Sequence, residues 1–167
     1  MDEKQIKTLF RGWMYNWGYY PKKGYQMYFI KLNNILQRGK AMIPFYDQKD
    51  YKTGSRNYVM LDDLFELQIN KKAESSPFIF GDNVPPKNIA FEYKGTQNGI
   101  RGIYTAIGQA MVYHCIVNQP TYLVIDIKDY LILENVFSVL PYGIICYRVK
   151  NINDGIKIFK HPNIPSI

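Results

Sequence analysis

Glu92 and Lys94, two residues apart in the run Ile89-Ala90-Phe91-Glu92-Tyr93-Lys94, are the strongest chemical signal in this chain. The run follows the turn-forming Pro85-Pro86-Lys87-Asn88 and stops at Gly95, which predicts a strand. A strand alternates its side chains, so Glu92 and Lys94 share one face while Ile89, Phe91 and Tyr93 pack the other. A carboxylate beside an ammonium on one sheet face can hold a divalent cation and steady a phosphate or an attacking water. The competing reading is an exposed ion pair, worth only ~0–1 kcal/mol.

The elements that must position this pair follow it directly. Ile100 to Val117 predicts a helix with Ile100, Ile103, Ile107, Ala110 and Met111 on its apolar face, ended by Asn118-Gln119-Pro120. Its polar residues Arg101, Thr105, Gln109 and Tyr113 recur at i, i+4 and form a row along one side. Thr121–Asp126 predicts a buried strand. Strand, helix, strand over 89–126 implies a crossover, with the two strands parallel and adjacent and the polar row looking toward Glu92 and Lys94. The expected class is α/β, a central mixed β-sheet flanked by helices.

Glu92-Tyr93-Lys94, with Asp82 upstream and Gln109-Ala-Met-Val-Tyr113 downstream, resembles the PD-(D/E)XK nuclease superfamily, whose RecB-like branch carries a similar Gln-x-x-x-Tyr element. The matching stretch runs from about 78 to 126. The resemblance implies a restriction-endonuclease-like core of helix, three strands, helix and strand. It also implies metal-dependent hydrolysis of DNA, whether duplex, branched or end-containing. An aspartate and Glu92 would hold one or two Mg²⁺ ions, with Mn²⁺ able to substitute and the Tyr93 carbonyl as a further ligand. Lys94 would orient water or offset charge in the transition state. Gln109 and Tyr113 would meet a phosphate or a base. A non-catalytic nucleic-acid-binding protein on the same fold is the alternative.

The aspartate itself is open. Gly81-Asp82 stands where the superfamily has Pro-Asp, and a tight hairpin would set Asp82 opposite Glu92. Asp63 or Asp62 takes the place if residues 70–88 form an insertion.

Upstream, residues 2–14 predict a helix with Ile6, Leu9, Phe10 and Trp13 on its apolar stripe, and a second helix is expected from about Gln26 to Arg38. Between them a loop presents Tyr19, Tyr20 and Lys22, candidates with Arg101 for stacking on and pairing with a nucleic acid. Met60–Ile69 suits helix and strand equally. Phe78-Ile79-Phe80 predicts a short strand, and Gly143–Val149 the last one, before an irregular tail.

The 167 residues are 47% hydrophobic, enough for one domain with a core, its nuclease-like part spanning about 60–150 behind an N-terminal helical, aromatic-rich region. A net charge of +7 favours a polyanionic partner. Cys115 and Cys146 have no Cys-x-x-Cys neighbour and are expected as buried thiols. No run approaches the ~18 apolar residues of a membrane span. The expectation is a soluble, cytoplasmic protein, with a homodimer allowed for.

Overall fold

The computed structural model describes residues 1–22, 61–69, 76–79, 84–117, 119–149 and 155–163. The helix expected over 26–38 and the candidate ligand Asp82 lie outside these residues. The described elements run α1 (Glu3–Tyr15), β1 (Tyr19–Pro21), β2 (Asp63–Leu67), β3 (Asn88–Tyr93), α2 (Gly99–Val117), β4 (Thr121–Asp126), α3 (Ile127–Phe137), β5 (Gly143–Tyr147) and β6 (Lys157–Lys160). The six strands form one mixed sheet in chain order. β3, β4 and β5 are parallel neighbours, and the outer pairings β1–β2, β2–β3 and β5–β6 are antiparallel. The class is α/β, as the periodicity predicts.

The two sheet faces bury separate cores. On one, Ile6, Phe10 and Met14 of α1 pack against Phe65, Ile89, Phe91, Tyr93, Tyr122 and Tyr147. On the other, Ile103, Ala106 and Ala110 of α2 and Tyr130 and Phe137 of α3 cover Leu123, Ile125, Ile144 and Cys146. α1 starts at a capping box, in which Asp2 accepts from the Gln5 amide and the Gln5 side chain accepts from the Asp2 amide. Its buried stripe is rotated from the expected one. Leu9 is 44% exposed, and Met14 takes its place in the core.

Two turns depend on glycine. Gly18 has φ +81°, and a Cβ there would stand 2.1 Å from the Ile69 carbonyl oxygen, so only glycine lets β1 return beside β2. A Cβ on Gly95 would lie 2.9 Å from the Glu3 amide nitrogen. Its absence lets the start of α1 rest on the end of β3.

Several expectations are corrected. Within the ambiguous 60–69 segment, Asp63–Leu67 is a strand, because β1 and β3 pair it on both sides and override its helical spacing. Phe78 lies in a turn, since β2 and β4 already occupy both edges of β3. Its ring plugs the core against Trp13, Tyr19 and Tyr122. β5 ends at Tyr147 and is not the last strand. Lys157–Lys160 alternates exposed Lys157 and Phe159 with half-buried Ile158 and Lys160, the pattern of a short edge strand. Cys146 is buried as expected, but Cys115 is exposed.

α1 is fastened to β2 through a buried carboxylate. Asp63 is 2% exposed and accepts from Arg11 Nη2 at 2.5 Å, from Arg11 Nε at 3.1 Å and from the Tyr93 hydroxyl at 3.0 Å. Arg11→Ala leaves that charge with Tyr93 and Lys7 alone. The loss should be about 2–3 kcal/mol, below the figure for a fully buried pair because Arg11 keeps part of its side chain in water. Urea unfolding of the variant checks this, and an unchanged midpoint would show that the bridge contributes nothing net.

Candidate functional site

Strand register assembles the site. β3 pairs with β2 so that Asp63 faces Phe91, which brings the preceding residue, Asp62, beside Glu92. Ala90 and Lys94 donate their amides to Pro120 and Val124 on the β4 side. By alternation, the N–H and C=O of Tyr93 turn the other way, and its N–H donates to Asp62 Oδ2 at 2.9 Å. Two carboxylates and the Tyr93 carbonyl therefore converge where β2 begins and β3 ends.

Glu92 is 1% exposed, and its Oε2 is buried without a hydrogen-bond partner. Lys94 Nζ lies 3.7 Å from Glu92 Oε1. Burial pushes the Glu92 carboxyl up to about 9, reinforced by the charge of Asp62 and opposed by Lys94. One ammonium does not offset two adjacent carboxylates at this depth. Tyr113 is also buried, against Glu92 and outside both apolar clusters, and its hydroxyl bond favours the ionised carboxylate. Burial, followed by the Glu92 charge, drives the Tyr113 hydroxyl far above the phenol range, so it acts only as a neutral donor.

Lys94 is held from several directions. Its carbonyl accepts from the Tyr147 hydroxyl at 2.6 Å, and its side chain passes beside Gly102 of α2. Nζ also lies 3.6 Å from Glu3 Oε2. Glu3 is a site residue that sequence reasoning missed. The only signal for it was Gly95, whose bare backbone admits the start of α1.

The other candidates divide. Asp63 belongs to the α1 face and is engaged by Arg11, so of the pair Asp62/Asp63 it is Asp62 that stands beside Glu92. Gln109 is half-buried with its Oε1 unpartnered, one turn from Tyr113. Arg101 and Thr105 carry the row out into solvent at the start of α2. Along α2 the row passes from exposed Arg101 and Thr105 through half-buried Gln109 to buried Tyr113 beside Glu92.

Tyr19 is a correction. It is fully buried, donates to the Pro86 carbonyl and packs on Phe78, so its ring cannot stack on a base. Tyr20 stacks on Tyr15, and Lys22 bonds Asn88 and pairs with Glu66. Asn88 opens β3 and Glu92 lies near its end, so these two contacts are ~13 Å along the strand from the site.

Among the described residues no group of three or more His, Cys, Asp or Glu side chains could hold a metal. Asp62, Glu92 and the Tyr93 carbonyl nevertheless form a hard-oxygen set of the kind Mg²⁺ accepts, since that ion uses one or two carboxylates and keeps several waters. The orphaned Oε2 fits that role. No protein-family model matches the chain, and no curated protein matches it. Among the described residues no helix is long and apolar enough to cross a membrane.

Proposed function

We propose that this protein is a Mg²⁺-dependent nuclease that hydrolyses phosphodiester bonds of DNA. The observation that carries the reading is the buried, unpartnered Glu92 Oε2 beside Asp62, with Lys94 3.7 Å from the same carboxylate. A buried carboxylate beside half-buried Asp62 is costly in its ionised form unless a cation fills its spare lone-pair direction. The order α1, β1–β3, α2, β4 supports a restriction-endonuclease-like core, and the +7 charge suits a polyanion.

Asp62, Glu92 and the Tyr93 carbonyl would hold a Mg²⁺ ion, whose contribution would be Lewis-acid activation of the phosphate and of water. The chain's own groups do the rest. Asp62 and Glu92 supply the negative charge that holds the cation. Lys94, fixed through Tyr147 and Gly102, neutralises charge that develops on the phosphate oxygens. Tyr113 donates to Glu92 and favours its ionised form once a cation is present, and Gln109 offers an amide one turn away. Arg101, exposed where α2 begins, meets a neighbouring phosphate.

Nicking of supercoiled plasmid in Mg²⁺ or Mn²⁺ tests the reading. Lys94→Ala should cut roughly 10²–10³-fold more slowly with cation affinity little changed, because an ammonium is not a ligand. Tyr113→Phe should lose roughly tenfold. DNA binding without metal-dependent cleavage would instead establish the non-catalytic reading.

A further inference from the structure

We propose that the outer face of the α2–α3 layer is the surface through which two copies of this chain associate into a symmetric dimer. The starting point is a contrast between helices. α1 carries Glu3, Lys4, Lys7 and Arg11, as a helix on a protein surface normally does. The nineteen residues of α2 contain one formal charge, Arg101 in the first turn. A helix so nearly apolar is ordinarily covered on all sides. Here one side packs on the sheet through Ile103, Ala106 and Ala110, while Tyr104 (58%) and Cys115 stand in solvent.

α3 carries Lys128, Asp129 and Glu134, yet it too leaves large aliphatic side chains in solvent. Tyr130 and Phe137 face the core, and Leu131, Ile132 (73%), Val136 and the following Val139 (80%) are exposed. The helix changes direction at Leu133, yet both of its halves keep an aliphatic outer side. Both helices cover the same core cluster, so they lie on one face of the sheet. Among the described residues nothing covers these side chains. An apolar surface of this extent marks an interaction site.

Charge and area select the occupant. A polyanion needs a net positive surface, and the charges of α2 and α3 (Arg101, Lys128, Asp129 and Glu134) cancel, whereas the basic residues of α1 lie on the opposite side of the sheet. Two copies that each carry +7 repel everywhere except across a neutral face. α2 is ~28 Å long, and two helices side by side span ~20 Å. Such a face is on the order of 600 Å² in flat projection and more with side-chain relief, close to the ~800 Å² per partner of a stable interface. A two-fold axis through it would pair each helix with its antiparallel mate, opposing their dipoles.

Sedimentation velocity of the full chain from 1 to 100 µM tests the proposal. The wild type should sediment at twice the 19.6 kDa chain mass at the upper end. Ile132→Glu, present twice across the axis, should weaken association by roughly a hundredfold or more with far-UV circular dichroism unchanged. Val139→Lys, at a still more exposed position, should do the same and stands in if the first variant misfolds. Ile69→Glu, an exposed apolar residue beyond β2, should leave the dimer intact. A monomer at every concentration, or a dimer indifferent to both helix-face variants, overturns the proposal.

Discussion

Glu92→Gln should abolish metal-dependent cleavage, by at least ~10³-fold, and weaken Mn²⁺ binding to the point where calorimetry detects none. The substitution keeps the volume of a side chain that is 1% exposed, so packing is preserved. What it removes is the second carboxylate beside Asp62, and a neutral amide cannot replace an anionic ligand for a hard cation. The variant should also be at least as stable as the wild type without metal, because an amide is not penalised by burial as a carboxylate is. Loss of activity with gain of stability separates a functional carboxylate from a structural one. Asp62→Asn should follow the same pattern. Asp63→Asn should instead lower stability through Arg11 and Tyr93, with cation binding retained. Asp82→Asn decides whether that residue also serves. A Glu92→Gln protein that nicks plasmid at the wild-type rate would end the nuclease reading.

The second large effect is on stability as a function of pH. The Glu92 carboxyl is held at about 9 in the folded chain against 4.5 ordinarily, first by burial and then by Asp62. Between those values the folded state binds a proton that the unfolded chain has released. The sign follows: this contribution to stability is complete below about 4.5 and is lost as pH rises through about 9. Relative to Glu92→Gln, the metal-free wild type should therefore lose about 3–6 kcal/mol between pH 5 and pH 9.5. Urea unfolding of both proteins at several pH values, in a chelator, measures it. Mg²⁺ at millimolar concentration should restore much of the difference at high pH, because a cation stabilises the ionised carboxylate. Parallel curves for the two proteins would mean that Glu92 remains ionised in the apo fold.

The extent to which the site was legible follows the reach of each physical rule. Period-two alternation is a property of one strand, so the placement of Glu92 and Lys94 on one face, opposite Phe91 and Tyr93, could be read directly. The polar row of α2 and the parallel pairing of β3 with β4 were equally local, set by helical spacing and by a crossover of fixed kind. Tertiary structure decided the remainder. Asp62 and Asp63 are adjacent and chemically identical, and only the register of β2 against β3 sends one to Glu92 and the other to Arg11. Glu3 reaches Lys94 although far from it in sequence, a contact that no periodicity encodes. Tyr19, in a passage that reads as an open loop, is drawn into the core because β1 completes the sheet edge over Phe78. The outward aliphatic side chains of α3 are exposed because the sheet takes up only one side of the helix. Local pattern states which side chains share a face; which face meets which neighbour is a matter of long-range packing, where many weak contacts act together.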